Sequence, residues 1–285
     1  MKAVSVIIPA YNEEKGIKNV LETVALVLEE TGLEFEIIVV DDGSDDRTAV
    51  TVRRAGVRLI EHDSNRGYGA SLKDGIRQAR NEYILILDAD GTYPEDAIPV
   101  LLEAGDKYEM VVGARTGEEV AIPPHRRFPK WLLKRMAEYL VGMKIPDLNS
   151  GLRIFKKETA FKYFNIFPDG FSFTTTITVA FLSNNYPVKY IPINYYKRRG
   201  LSKFRPFQDT VNLINLILRT SLYFNPLKIF LPASGLLLAA GAALLIYRLI
   251  AGGGGMVTTV VLITAGLQFL ALGLLADLMD KRTSR

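Results

Sequence analysis

Leu85-Ile86-Leu87-Asp88-Ala89-Asp90 decides the reading of this chain: a short apolar run, as a buried strand would have, closed by two carboxylates one residue apart. Strand alternation is expected to point Asp88 and Asp90 the same way, at the carboxyl edge of a sheet, where open α/β folds keep their ligands. Two anions held that close repel each other unless a cation lies between them. A hard divalent ion, itself clamped to a diphosphate, is the natural candidate.

The same unit recurs upstream: an apolar run, a polar or glycine-containing turn, then a helical stretch. Residues 4–8, 35–40, 57–60 and 83–87 read as strands, the second and fourth almost wholly apolar, as strands covered on both faces are. Helices are expected at 14–30, 47–55 and 68–80, the second opened by Ser44, Asp45 and Asp46, which suit capping. Alternating strand and helix predicts a parallel sheet with right-handed crossovers, an α/β nucleotide-binding half-domain. Further on, a helix over 94–108, a strand at 110–112, a helix over 130–141 and extended stretches at 152–155 and 188–195 complete one mixed, mostly parallel sheet.

Two more acidic segments fall at strand exits. Pro9-Ala10-Tyr11-Asn12-Glu13-Glu14 follows the first strand and Val40-Asp41-Asp42-Gly43-Ser44 the second, so acids from separate strands converge on one rim. Asp45 and Asp46 read as caps or turn residues, whereas Asp42, at the strand exit before a glycine turn, reads as functional. Neither a Walker A sequence nor Gly-x-Gly-x-x-Gly follows the first strand, so a metal is expected to carry more of the phosphate neutralisation. Asn65-Arg66-Gly67-Tyr68-Gly69 is the nearest approach to a glycine-rich loop. His62, at a strand end, reads as a surface or cap residue, and Trp131 as an interfacial or core aromatic.

The chain has 285 residues, a formal charge of +4 and no cysteine, which excludes disulfides, thiolate nucleophiles and cysteine-ligated zinc. Residues 125–135 hold Arg126, Arg127, Lys130, Lys134 and Arg135 without an acid, and 197–205 hold Lys197, Arg198, Arg199, Lys203 and Arg205, again without one. Both clusters suit anionic lipid or a phosphate substrate, and no nucleic-acid partner is expected. Residues 229–247 carry no charge and neither do 256–276, each about the length a helix needs to cross a bilayer. They read as a transmembrane hairpin over 226–285. Lys281, Arg282 and Arg285 follow the second span and only Arg248 marks the turn, so the positive-inside bias puts the N-terminal part and the C-terminus in the cytoplasm. Phe207, Val211, Ile214 and Leu218 give 204–225 the spacing of an interfacial helix. Met1-Lys2 runs straight into the first strand, so no signal peptide is expected.

Val6-Ile7-Ile8-Pro9-Ala10-Tyr11-Asn12-Glu13, Val39-Val40-Asp41-Asp42-Gly43-Ser44, Asn65-Arg66-Gly67-Tyr68-Gly69 and Asp88-Ala89-Asp90, in that order, resemble the family 2 glycosyltransferases of GT-A fold. Asp147-Leu148-Asn149-Ser150-Gly151-Leu152-Arg153, the segment Tyr196 to Lys203 and the terminal hairpin resemble the dolichyl- and polyprenyl-phosphate hexose synthases within it. The resemblance implies a GT-A domain over 1–203 that transfers a hexose, mannose or glucose, from a nucleotide-sugar to a membrane polyprenyl or dolichyl phosphate with inversion. It implies that Pro9, Tyr11, Glu13, Asp41 and Asp42 hold the nucleoside, and that Asp88, Ala89 and Asp90 contact ribose, diphosphate and a Mg²⁺ or Mn²⁺ ion held by Asp88 and Asp90. Arg115 would meet phosphate and act with Asp90 in catalysis. Arg126, Arg127, Arg198, Arg199, Ser202 and Lys203 would bind the acceptor phosphate. Mannose synthases continue after the metal motif with leucine and glutamine, whereas this chain has Gly91 and Thr92, which leaves the sugar open.

An absence points the same way. Transfer to a sugar hydroxyl needs a general base, and Gly170 to Thr178 contains no Asp or Glu. A phosphate monoester is already an anion at neutral pH and needs cations that position it instead. A processive polysaccharide synthase needs that carboxylate and more spans. A silent nucleotide-sugar-binding scaffold is opposed by the intact acids. Homo-oligomerisation, acceptor length and nucleotide base stay open.

Overall fold

The computed structural model describes residues 1–118, 127–170, 172–196, 222–223, 225–251 and 256–283. The chain divides into two compact units, Met1–Leu216 and Ile217–Arg285.

The first unit is built on a seven-stranded sheet. Its strands are β1 (Ala3–Ala10), β2 (Glu34–Asp41), β3 (Arg58–Glu61), β4 (Tyr83–Ile86), β5 (Met110–Ala114), β6 (Arg153–Lys156) and β7 (Val188–Pro192), in the order β3-β2-β1-β4-β6-β5-β7. The first four run parallel, as the alternation of strand and helix requires. β6 is antiparallel to both β4 and β5, and β5 pairs parallel with β7. The order reverses beside β1 and β4, the switch point at which ligands bind in open α/β sheets.

Helices cover both faces. α1 (Ile17–Thr31), α2 (Thr48–Arg54), α3 (Tyr68–Gln78) and α4 (Ile98–Gly105) follow the strands in turn. Val4, Val6 and Ile8 of β1 pack in one cluster with Val20, Val24 and Leu28 of α1 and Leu101 of α4. Ile7 points the other way, towards Gly75 of α3, because successive strand residues alternate faces. Both sets are fully buried, which is why these strands read as continuous apolar runs.

The second half departs further from the sequence expectation. α5 (Arg127–Val141) starts three residues earlier than expected, and two helices, α6 (Lys157–Lys162) and α7 (Phe173–Ser183), were not anticipated. Every residue of α7 from Phe173 to Leu182 is buried, four threonines among them, so no polar face marks the helical period. The expected 188–195 strand ends at Pro192.

In the second unit, α8 (Leu227–Ala251) and α9 (Val257–Thr283) are both long and apolar enough to cross a membrane. They pack closely where small residues meet large ones: a side chain on Gly241 would press on Ile263, and one on Gly266 on Leu238. Ser234 Oγ donates to the Gly266 carbonyl at 2.8 Å, and Phe230 meets Phe269 edge to face. Most of the expected interfacial helix, and the hairpin turn at 252–255, lie outside the described residues.

Candidate functional site

The carboxyl ends of β1, β2 and β4 form one rim. Ala10 is level with Asp41 across the β1–β2 pair, and Ile7 with Ile86 across β1–β4, so Pro9, Tyr11, Glu13, Asp41, Asp42 and the Asp88–Asp90 loop share a sheet edge. The loops are stitched together by short polar side chains. Asn12 N–H donates to Ser44 Oγ (2.9 Å), Glu13 N–H to Thr48 Oγ1 (2.9 Å) and Asp45 N–H to Asn12 Oδ1 (2.9 Å). Asp46 accepts the Thr48 and Glu14 amides, a capping role at the start of α2. Burial raises the Asp41 carboxyl above its ordinary range, against hydrogen bonds from Ser44.

Asp42 is the hub of the next layer. It is 4% exposed; its Oδ1 accepts Arg66 N–H at 2.8 Å and faces His62 Nδ1 at 2.7 Å, and its Oδ2 accepts Gly67 N–H at 2.9 Å. The carboxylate expected to hold a nucleoside thus anchors the glycine-containing loop. His62 is not the surface residue expected: it is buried between Asp42 and Asp74, the latter 3.2 Å from Nε2. Burial alone would raise the Asp74 carboxyl, but the Arg77 hydrogen bond and the Arg66 charge outweigh it and hold it low. Because His62 directly follows β3, the strand beside β2, its place on the rim was readable from the repeat.

The glycines of that loop answer to the chain a hundred residues on. Gly67 has φ +106°, and a Cβ there or on Gly69 would collide with the backbone of 168–170, whose Asp169 carbonyl accepts Ala70 N–H at 2.9 Å. Lys73 secures the clasp through the Phe167 carbonyl (3.2 Å) and an ion pair with Asp169.

β4 ends at Ile86, and Leu87 N–H still bonds Ile7 O at 3.2 Å, so Asp88 and Asp90 lie in a loop beyond the strand. Strand alternation therefore does not aim them; other side chains do. Tyr68 donates to Asp88 Oδ1 at 2.8 Å, and burial beside that carboxylate pushes the phenol well above its ordinary pKa, keeping it a donor. Gly151 makes room for Asp88, since a Cβ there would overlap the carboxylate, and its N–H donates to Tyr93 Oη at 2.5 Å. Asp90 Oδ1 accepts Thr92 N–H (3.1 Å) and Thr92 Oγ1–H (2.6 Å). No third His, Cys, Asp or Glu joins this pair in a metal-sized cluster among the described residues. Two hard oxygen donors, with the other positions left to phosphate and water, are what Mg²⁺ and Mn²⁺ accept.

Arg115, expected at a phosphate, is held inside the unit. Its Nε donates to Asp147 Oδ2 (2.7 Å), its Nη2 to Asp147 Oδ1 and Asn149 Oδ1 (2.8 Å each), and the guanidinium lies 5.1 Å over the Tyr195 ring. Asp147 is buried, which opposes its charge, yet the Arg115 pair lowers its carboxyl to about 2. Arg153, which sequence reasoning left without a role, is 0% exposed. It bonds the Ser150 and Thr174 carbonyls and Thr178 Oγ1, tying β6 to α7. Of the expected acceptor residues, Arg126, Arg198, Arg199, Ser202 and Lys203 lie outside the described residues, and Arg127 is placed only as the first residue of α5.

A mixed, mostly parallel sheet whose acids gather at the switch point, with an Asp-x-Asp loop beyond the central strand, defines a GT-A fold. The model of "Glycosyl transferase family 2" matches residues 5–164, and the chain belongs to that family. The "GtrB C-terminal hairpin" matches residues 225–280. The chain is 30% identical over 205 residues to a dolichyl-phosphate hexose transferase of Haloferax volcanii, covering 71% of this chain and 87% of that protein. It is 31% identical to the low-salt glycan biosynthesis hexosyltransferase Agl6 of the same organism over 72% of this chain, which spans half the length of that relative. Glucosyl-3-phosphoglycerate synthase from Mycobacterium tuberculosis, crystallised with Mn²⁺, UDP and phosphoglyceric acid, shares the fold with TM-score 0.62 at 18% identity, over 77% of this chain and 78% of that one.

Proposed function

We propose that this glycosyltransferase moves a hexose from a nucleotide-sugar to the phosphate of a polyprenol or dolichol, with inversion, from a catalytic unit anchored by α8 and α9. The observation that carries the reading is the pairing of a braced Asp88–Asp90 loop with an α7 that brings no carboxylate to the site. The relative named a dolichyl-phosphate hexose transferase and the match to a GtrB hairpin support the acceptor class. Mg²⁺ or Mn²⁺, held by Asp88 and Asp90, would supply charge neutralisation to the leaving nucleoside diphosphate. Pro9, Tyr11, Glu13 and Asp41 line the nucleoside side of the rim, with Asp42 holding the 65–69 loop in place behind it. Arg126, Arg127, Arg198, Arg199, Ser202 and Lys203 position the acceptor phosphate, whose own charge makes a general base unnecessary. Arg115 serves through Asp147 and Asn149 as part of the wall behind the metal loop. Both termini of the hairpin face the cytoplasm.

The test is transfer of labelled sugar in detergent, with GDP- and UDP-sugars offered against dolichyl and undecaprenyl phosphate. One pair is expected to give product, and Asp90→Ala to lower the rate by about 10²–10³-fold; a near-normal rate in that variant removes the assignment. Lys203→Ala is expected to raise the acceptor KM while leaving donor affinity intact, and unchanged acceptor kinetics remove its role.

A further inference from the structure

We infer that Thr92 and Tyr195 are positioning residues for Asp90, forming a brace that runs from the chain beyond β7 to the metal loop. The inference rests on the metal reading of Asp88 and Asp90 given above.

Thr92 is 0% exposed, and Gly91 has φ +66°, so the chain turns back and aims both the Thr92 amide and its hydroxyl at the same atom, Asp90 Oδ1. Two donors on one carboxylate oxygen fix the plane of the group as well as its rotamer. Thr92 is itself held from outside the loop: its carbonyl accepts Tyr196 N–H at 2.9 Å, which ties the loop to the chain at Tyr195 and Tyr196. Tyr195 is wedged in turn, edge to face on Tyr93 with centroids 5.2 Å apart and under the Arg115 guanidinium. Tyr93 receives Gly151 N–H, and Gly151 is the residue that makes room for Asp88. The two carboxylates are therefore set by one connected group of side chains.

This assigns position 92 a task different from that of a glutamine. The Thr92 hydroxyl is buried and donates its hydrogen bond to Asp90, so it orients a ligand rather than being one. Partners of that kind typically change metal affinity by about 10–100-fold when removed.

The experiment uses the full chain in detergent and follows Mn²⁺ uptake by the loss of the free-ion EPR signal, with UDP and, separately, GDP present. Thr92→Val is expected to weaken Mn²⁺ binding by about 10-fold or more, with thermal stability and metal-free nucleotide affinity unchanged. Thr92→Ser is expected to restore binding to within a few-fold, and Tyr195→Ala, which removes the ring wedged against Tyr93, to give a smaller loss than Thr92→Val. A folded Thr92→Val protein that takes up Mn²⁺ as tightly as the wild type overturns the inference while leaving the metal reading standing. If Thr92→Val does not fold, Tyr195→Ala decides, and wild-type Mn²⁺ affinity in that variant overturns the brace. Wild-type protein that binds no Mn²⁺ with either nucleotide overturns the metal reading itself, and the brace with it.

Discussion

The acidic rim and the buried arginines sit in one unit and are built in opposite ways. Asp41, Asp42, Asp88 and Asp90 come from the ends of parallel strands and are fixed mostly by backbone amides and hydroxyls. Arg115 and Arg153 come from the half that contains the antiparallel strand and are locked by a carboxylate in one case and by carbonyls in the other. Amides and hydroxyls hold an acid without cancelling its charge, whereas a bidentate carboxylate cancels that of the arginine. The rim acids are therefore oriented without being neutralised, whereas Arg115 and Arg153 act as framework.

Asp147→Ala presses hardest on this contrast. It strands the Arg115 charge inside the unit, and chemical denaturation should show a loss of about 3–5 kcal/mol. If Arg115 were instead a ligand reaching for phosphate, stability would hold and donor affinity would change. Gly69→Ala comes next. Its methyl group meets the 168–170 backbone, which cannot yield as a flexible side chain would, so a loss of about 1–3 kcal/mol is expected together with weaker nucleotide binding. Unaltered nucleotide affinity in that variant would detach the clasp from the rim. The smallest effect is one of pH. Asp147 is lowered from 3.8 to about 2, so its contribution is complete above about pH 4 and fades as the pH falls towards 2. Over that interval the wild type should lose about 2 kcal/mol that Asp147→Asn does not lose, as parallel denaturation series would show.

The legibility of the chain follows the same division. Strands β1 to β4 and their helices were readable because each is a local pattern, an apolar run followed by an amphipathic stretch, and the family match begins there. The aim of Asp42 and Asp88, and the burial of Arg115, were not, because they depend on partners far along the chain. Tyr68 for Asp88, His62 and Gly67 for Asp42, and Asp147 for Arg115 lie 20 to 32 positions away. β4 stops two residues short of Asp88, so strand alternation locates the two acids at the right edge without setting their aim. α7 escaped because burial on every side erases the period that announces a helix.

The clasp between Gly67, Gly69 and the 168–170 backbone also bears on how the molecule comes into being. The four parallel strands leave the ribosome first, yet the loop that Asp42 organises gains its packing against 168–170 only once that segment has been made. Contacts of such long sequence separation form late, after loop closure has been met elsewhere. The packing beneath the 65–69 loop is thus among the later contacts of the unit to form. A nascent chain halted before residue 168 would hold the parallel core and every rim acid, with the surface beneath its glycine loop still exposed.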